Sequence, residues 1–173
     1  MYIRMAKHAD VPRIMDIIDI GRKYMRSCGN NIQWQDGYPS TEQIQREIDK
    51  GQFFVWCGEG RCADGTACET IHGVFSFIIG KDPTYDYIEG GKWLNEGPYG
   101  TIHRMASDGT QRGMFKECLE YCKDKVENIR MDTHEINTHM RRLAEKNGFT
   151  ECGVIYVADG TPRVAYQLVN DAD

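Results

Sequence analysis

Apolar residues in this chain change period repeatedly, from alternation at every second position to recurrence every three or four, and each change marks a new element. Tyr2-Ile3-Arg4-Met5 alternates as a strand does. Asp10 offers an N-cap and Pro12 suits a first helical turn; Val11, Ile14, Met15, Ile18 and Met25 then fall on one helical face. Gly29 is placed to end that helix and Gly51 the next, which Ser40-Thr41-Glu42-Gln43 opens as a capping box. Strand patterns follow at Phe53 to Cys57, Ile71 to Ile79 and Tyr99 to Ala106. Met114, Phe115, Cys118, Leu119, Cys122 and Val126 form a helical stripe, Ile129 to Asp132 a short strand, and Asn137 to Asn147 a helix closed by Gly148. Cys152 to Val157 and Val164 to Val169 form a terminal hairpin around Asp159-Gly160. The order is strand, two helices, three strands, helix, strand, helix, two strands, without a repeat or linker. It predicts one α/β domain over residues 1–173.

Composition narrows the function. Hydrophobic residues make up 40% and charged residues 27% of the 173 positions, an ordinary globular balance. The net charge is -5, and the short basic clusters are interleaved with acids, so a nucleic-acid partner is not expected. No apolar run reaches membrane-spanning length, and the best, Val74 to Ile79, is strand-sized. The seven cysteines are odd in number and the first residues lack a signal-peptide apolar stretch, so a reducing, cytoplasmic location without a disulfide scaffold is expected. Cys57, Cys62 and Cys68 are spaced too widely for a typical structural zinc site, and no metal is expected. The sequence is silent on oligomeric state, a homodimer included.

The most informative segment runs from Tyr99 to Phe149. A strand runs into a polar turn with Gly109 and Gly113, and a helix starts immediately after it. Amides at a helix start, aided by the helix dipole, can hold a pyrophosphate, and Gly113 allows close approach to an anion. The turn by itself reads equally well as an ordinary helix start.

The surrounding motifs resemble the core of the GNAT N-acetyltransferase superfamily. His103-Arg104-Met105-Ala106-Ser107 resembles its acetyl-binding strand, and Gln111-Arg112-Gly113-Met114-Phe115 its pyrophosphate loop, usually Gln/Arg-x-x-Gly-x-Gly/Ala. Arg130-Met131-Asp132-Thr133-His134 with Asn137, then Glu145-Lys146-Asn147-Gly148-Phe149, resembles its later strand and helix. The resemblance implies an α/β fold with a mixed, mostly antiparallel central sheet flanked by helices. It also implies that the fourth and fifth strands part to admit acetyl-CoA, a co-substrate, with no metal. Backbone groups at Met105, Ala106 and Ser107 then bond the carbonyl and pantetheine. Gln111, Arg112, Gly113, Met114 and Phe115 hold the pyrophosphate, and Asn137 contacts the pantetheine. A primary amine, on a small molecule or a peptide, attacks the thioester directly. An acyl-CoA-binding sensor without turnover is the alternative on the same fold.

The chain departs from that pattern at Thr110, at Phe115, in a short loop, and at Ala144, where many relatives carry a Tyr that protonates the leaving thiolate. Phe115 is expected to face the core and Met114 the ligand. His103, on one strand face with Thr101 and Met105, is the candidate base, its alternative being a structural histidine. Tyr156 is the candidate stand-in acid, its alternative a groove-lining tyrosine. His134 reads more readily as a structural loop-end residue. The loop from Asn30 to Pro39, the acidic connector from Lys81 to Pro98 and the terminal hairpin are expected to build the acceptor site. Trp34, Tyr85, Tyr87 and Trp93 would give it an aromatic rim suited to a cationic amine.

Overall fold

The computed structural model describes residues 1–61 and 64–170. Among these residues, seven strands and four α-helices follow the order expected from the sequence: β1 (Tyr2–Met5), α1 (Val11–Ser27), α2 (Thr41–Asp49), β2 (Phe53–Arg61), β3 (Ala67–Ile79), β4 (Tyr99–Ser107), α3 (Met114–Lys123), β5 (Asn128–Thr133), α4 (Thr138–Lys146), β6 (Thr150–Tyr156) and β7 (Pro162–Val169). The sheet order is β1-β2-β3-β4-β5-β7-β6. Pairing is antiparallel for β1 with β2, β2 with β3, β5 with β7 and β6 with β7, and parallel for β4 with β5. This is the mixed, mostly antiparallel sheet expected.

The chain divides into two compact units. The first holds Met1–Phe77 and Arg104–Cys118. Its core is made by the apolar stripe of α1 (Ile14, Ile17, Ile18), Ile44 of α2, and Phe53, Val55 and Val74 of the strands. Local chemistry sets the helix ends. Gly29 follows α1 in the left-handed region at φ 83°, a conformation that is cheap only for glycine. The Ser40 hydroxyl accepts the Gln43 amide at 3.2 Å and so starts α2.

The second unit holds Ile78–His103 and Leu119–Asp173. Its core includes Tyr85, Trp93, Tyr99, Ile155 and Ala165. The connector between β3 and β4 is ordered by its own residues together with β5 and β6. Asp82 Oδ1 accepts the Thr84 amide and starts a 3-10 turn, Pro83–Tyr85. Trp93 Nε1 donates to the Tyr85 carbonyl at 2.9 Å, and Glu89 forms a bridge with Val154 of β6. The Arg130 guanidinium lies 3.9 Å from the Trp93 ring centroid and 4.0 Å from that of Tyr99, and it donates to the Asn95 carbonyl.

This arrangement corrects the expected aromatic rim. Tyr85 and Trp93 are core residues, and Trp34 is half-buried against the core of the first unit. Only Tyr87 of that set stands exposed. The thiol expectation also changes at one position: Cys28, Cys57, Cys118, Cys122 and Cys152 are free, but Cys68 is disulfide-bonded. Cys62 lies outside the described residues. Among the described residues, no helix is long and apolar enough to cross a membrane.

Candidate active site

The turn after β4 belongs to the first unit and is built around Asp108. Its Oδ1 accepts the Thr110 amide at 3.0 Å and the Thr110 hydroxyl at 2.7 Å. Its Oδ2 accepts from Arg13 Nη2 at 2.6 Å and lies 3.3 Å from His72 Nδ1. Arg13 also donates to the Ile71 carbonyl, so the turn is fastened to β3 and α1 together. Arg13 offsets the carboxylate, which would otherwise repel a phosphate placed beside it. Gln111 and Arg112 are exposed on the turn, and Gly113 has φ 96°. Helix α3 starts at the next residue. An exposed guanidinium, a glycine that lets the backbone approach and a helix start are the features that anion-holding turns share.

Two loop expectations fare differently. Phe115 is buried, as expected for its place in the helical stripe. Met114 is buried as well, and its thioether covers Gly73 of β3, so closely that a Cβ there would lie 2.3 Å from the sulfur. The Met114 side chain is therefore packed inward and does not face a ligand, contrary to expectation. The reason is that the apolar stripe of α3 begins at its first residue.

β4 is irregular where the site residues lie. Its parallel register with β5 runs through Tyr99, Gly100 and Thr101, opposite Asn128, Ile129 and Arg130. Arg104 then takes φ 53°, unusual for a residue with a side chain and a mark of a locally re-aimed strand. Period-two alternation is interrupted there, so His103 and Met105 are not placed on one face by counting. The Arg104 guanidinium is 2.9 Å from Glu47 Oε1 and lies over the Tyr38 ring at 5.7 Å. Glu47 Oε2 accepts from Ser76 Oγ at 2.8 Å. Ala106 is buried, and a Cβ on Gly21 of α1 would lie 3.2 Å from its methyl. Met105 and Ser107 are half-buried.

In the second unit, His103 stands between two carboxylates. Nε2 lies 3.4 Å from Asp82 Oδ2, and Nδ1 lies 3.8 Å from Asp132 Oδ2. The Tyr85 hydroxyl donates to the same Asp132 oxygen at 2.7 Å. Tyr85 is fully buried, and burial with the nearby Asp132 charge pushes its phenol well above the usual range, so it stays a donor. The His103 imidazole, with the Thr84 hydroxyl and amide, holds the Asp82 carboxyl down at about 2. The His103 side chain keeps 20% of its surface open, so the group is ordered but reachable.

The other predicted residues are placed elsewhere. Asn137 caps α4, its Oδ1 accepting the Met140 amide at 3.2 Å. Tyr156 is exposed, donates to Glu89 and stacks on Tyr87 at 6.4 Å; its described contacts do not include His103. Glu89 raises its phenol above the ordinary value. His134 is buried, with Nδ1 accepting the Ile136 amide at 3.3 Å, and burial lowers its pKa, which suits the structural reading. Ala144 is fully buried in α4. Sequence reasoning did not connect Asp82, Tyr85 and Asp132 with His103. Asp82-Pro83-Thr84 signals a capped turn, but nothing local signals which histidine that turn meets.

No family profile and no curated protein sequence matches the chain. Solved structures do. An acetyltransferase of the GNAT family from Streptococcus agalactiae is 30% identical, with 99% of this chain and 96% of that one covered and a TM-score of 0.83. A GNAT-family acetyltransferase from Listeria monocytogenes is 18% identical over 97% of this chain and 94% of its own, with a TM-score of 0.66. AAC(6')-Ib, solved with ribostamycin and coenzyme A, shares the fold at a TM-score of 0.63 and 16% identity, with 96% and 92% covered. With the strand order, the turn after β4 and near-complete coverage at 30% identity, this chain belongs to the GNAT acetyltransferase superfamily.

Proposed function

We propose that the protein is an N-acetyltransferase that moves an acetyl group from acetyl-CoA to a primary amine by direct attack in a ternary complex. The observation that carries this reading is β4 itself, which bears the His103 group at one point and runs on into the Gly113 turn and α3. The turn suits the diphosphate of the co-substrate, with Arg112 as counter-charge and Gly113 allowing backbone approach. Backbone N–H groups from Met105 to Ser107 suit the thioester carbonyl and the pantetheine amides, because charge develops on that carbonyl oxygen during attack.

His103 takes one proton from the acceptor ammonium. The neutral amine attacks the carbonyl carbon, and as the C–S bond breaks the nitrogen gives up its second proton to solvent while the departing thiolate takes a proton from solvent; His103 then returns its proton to solvent. Ala144 supplies no hydroxyl, and the Tyr156 phenol is engaged by Glu89. Positioning and carbonyl polarisation therefore carry most of the rate. Asp82 and Asp132 beside the imidazole favour a cationic acceptor.

The test is coenzyme A thiol release from acetyl-CoA in the presence of polyamines, aminoglycosides, amino acids and peptide N-termini. Turnover with cationic amines is expected, and turnover only with anionic amines removes the acceptor assignment. One specific feature, the missing hydroxyl at Ala144, favours the second reading, an acyl-CoA-binding sensor. Calorimetric binding of acetyl-CoA with no acetyl transfer to any member of that panel would select it.

A further inference from the structure

The connector between β3 and β4 runs beside β6, the last strand of the sheet. Glu89 and Val154 form an antiparallel bridge, each amide donating to the other's carbonyl, at 2.8 and 2.9 Å. Carrying that register two residues outward sets Tyr87 opposite Tyr156. Their rings do meet, with centroids 6.4 Å apart and planes 28° from parallel. Side chains alternate across an extended ribbon, so Tyr87, Glu89 and Tyr156 share one face, and Ile88 and Ile155 take the other. Burial follows that rule. Ile155 belongs to the core of the second unit and Ile88 packs against it, while Tyr87, Glu89 and Tyr156 are exposed.

The outward face therefore carries two phenol rings and a carboxylate. The Tyr156 hydroxyl donates to Glu89 Oε2 and so holds the carboxylate beside the rings. A carboxylate has about four lone-pair sites, and one such bond leaves it free to accept more. Among the described residues Glu89 forms no ion pair. Tyr87 has 64% of its surface open, more than any other exposed large hydrophobic residue described. The negative face of an aromatic ring and a carboxylate without a cation both attract an ammonium group. The bridge fixes them in advance, so little ordering is needed on binding. The same connector leads to the histidine: the Tyr85 ring lies 6.3 Å from that of His103, and Tyr87 follows two residues later, a chain span of at most about 7 Å.

We propose that Tyr87, Tyr156 and Glu89 form a second subsite for the acceptor, which holds the remote ammonium of a short aliphatic diamine or polyamine while its other end meets His103. The role in acceptor choice rests on the N-acetyltransferase reading, whereas cation binding rests on the ribbon alone. The remote ammonium keeps its protons and no bond changes at the subsite, so its contribution is binding and orientation.

The probes are diaminobutane and butylamine, which share a carbon chain and differ in the second ammonium. The first measurement is NMR of the tyrosine rings without acetyl-CoA. Diaminobutane is expected to shift the Tyr87 and Tyr156 ring signals at about a fivefold lower concentration than butylamine, and Glu89→Gln, which still accepts the Tyr156 hydroxyl, to erase that difference. Equal titrations for the two amines, or an undiminished difference in Glu89→Gln, overturn the subsite. The second measurement is acetyl transfer. The ratio of kcat/KM for diaminobutane to that for butylamine is expected to fall about 5- to 20-fold in Glu89→Gln and in Tyr87→Leu, with butylamine turnover unchanged. A ratio that stays the same in both variants overturns the subsite and leaves the acetyltransferase reading standing. Ring shifts that depend on Glu89, with no acetyl transfer to either amine, remove that reading and with it the role in acceptor choice, and leave the cation site standing.

Discussion

Arg104 combines two costs at one position. Its left-handed φ strains a residue that has a Cβ, and its guanidinium is mostly withdrawn from water. The ion pair with Glu47 and the face of Tyr38 offset both. Removing one member strands the other, because a buried carboxylate without its cation keeps its desolvation cost. Arg104→Ala is therefore expected to lose about 3–5 kcal/mol in urea unfolding. Arg104→Ala/Glu47→Gln is expected to regain part of that loss. Arg112 is the opposite case, exposed and held by no described partner. Arg112→Ala is expected to raise the KM for acetyl-CoA about fivefold with kcat nearly unchanged, the pattern of a group that binds ground and transition states alike. An unchanged KM would remove it from the diphosphate seat.

At the scale of elements, the connector between β3 and β4 behaves as part of the framework. Gly91 lies against β6 so closely that an added Cβ would sit 1.9 Å from the Cys152 carbonyl oxygen. Gly153, at φ 139°, would meet the Glu89 carbonyl at 2.6 Å. Backbone cannot turn aside as a side-chain tip can. Gly91→Ala is expected to cost about 1–3 kcal/mol, read as a fall in Tm. Because this packing supports the turn that carries Asp82 and Tyr85, activity is expected to fall along with it. The aromatic residues of the connector looked like a substrate rim in sequence because length and polarity around them suggested a loop. Trp93 and Tyr85 fill the core because Arg130 and the sheet offer them surfaces to stack on. Those partners come from distant positions, and no local pattern announces them.

For the whole molecule, acid is the informative stress. Asp82 is held at about 2 by the His103 imidazole and Thr84, and Glu69 at about 2 by Arg4 and Tyr2. A carboxyl whose folded value lies below its unfolded one adds stability above the unfolded value and loses it as pH falls through the folded one. This contribution is thus complete above about pH 5 and disappears toward pH 2. For Asp82 it is about 2 kcal/mol, and Asp82→Asn is expected to flatten the stability profile between pH 5 and pH 2. The more exposed Glu69 contributes less, since solvent screens it. An unaltered profile in Asp82→Asn would show that the imidazole and carboxylate are not paired in solution.

The order of strands and helices, their caps and the glycine that closes the turn after β4 were all written locally. Hydrophobic period, Ser40, Gly29 and Gly113 act through bonds and angles within a few residues. The family resemblance was legible for the same reason, since its motifs are runs of neighbouring residues. Tertiary structure alone decided that Met114 turns inward over Gly73, that Tyr85 and Trp93 are core, and that Asp82, Tyr85 and Asp132 gather around His103. Such gatherings depend on which strands lie side by side. Those are consequences of burying surface from the whole chain at once, which no single segment encodes.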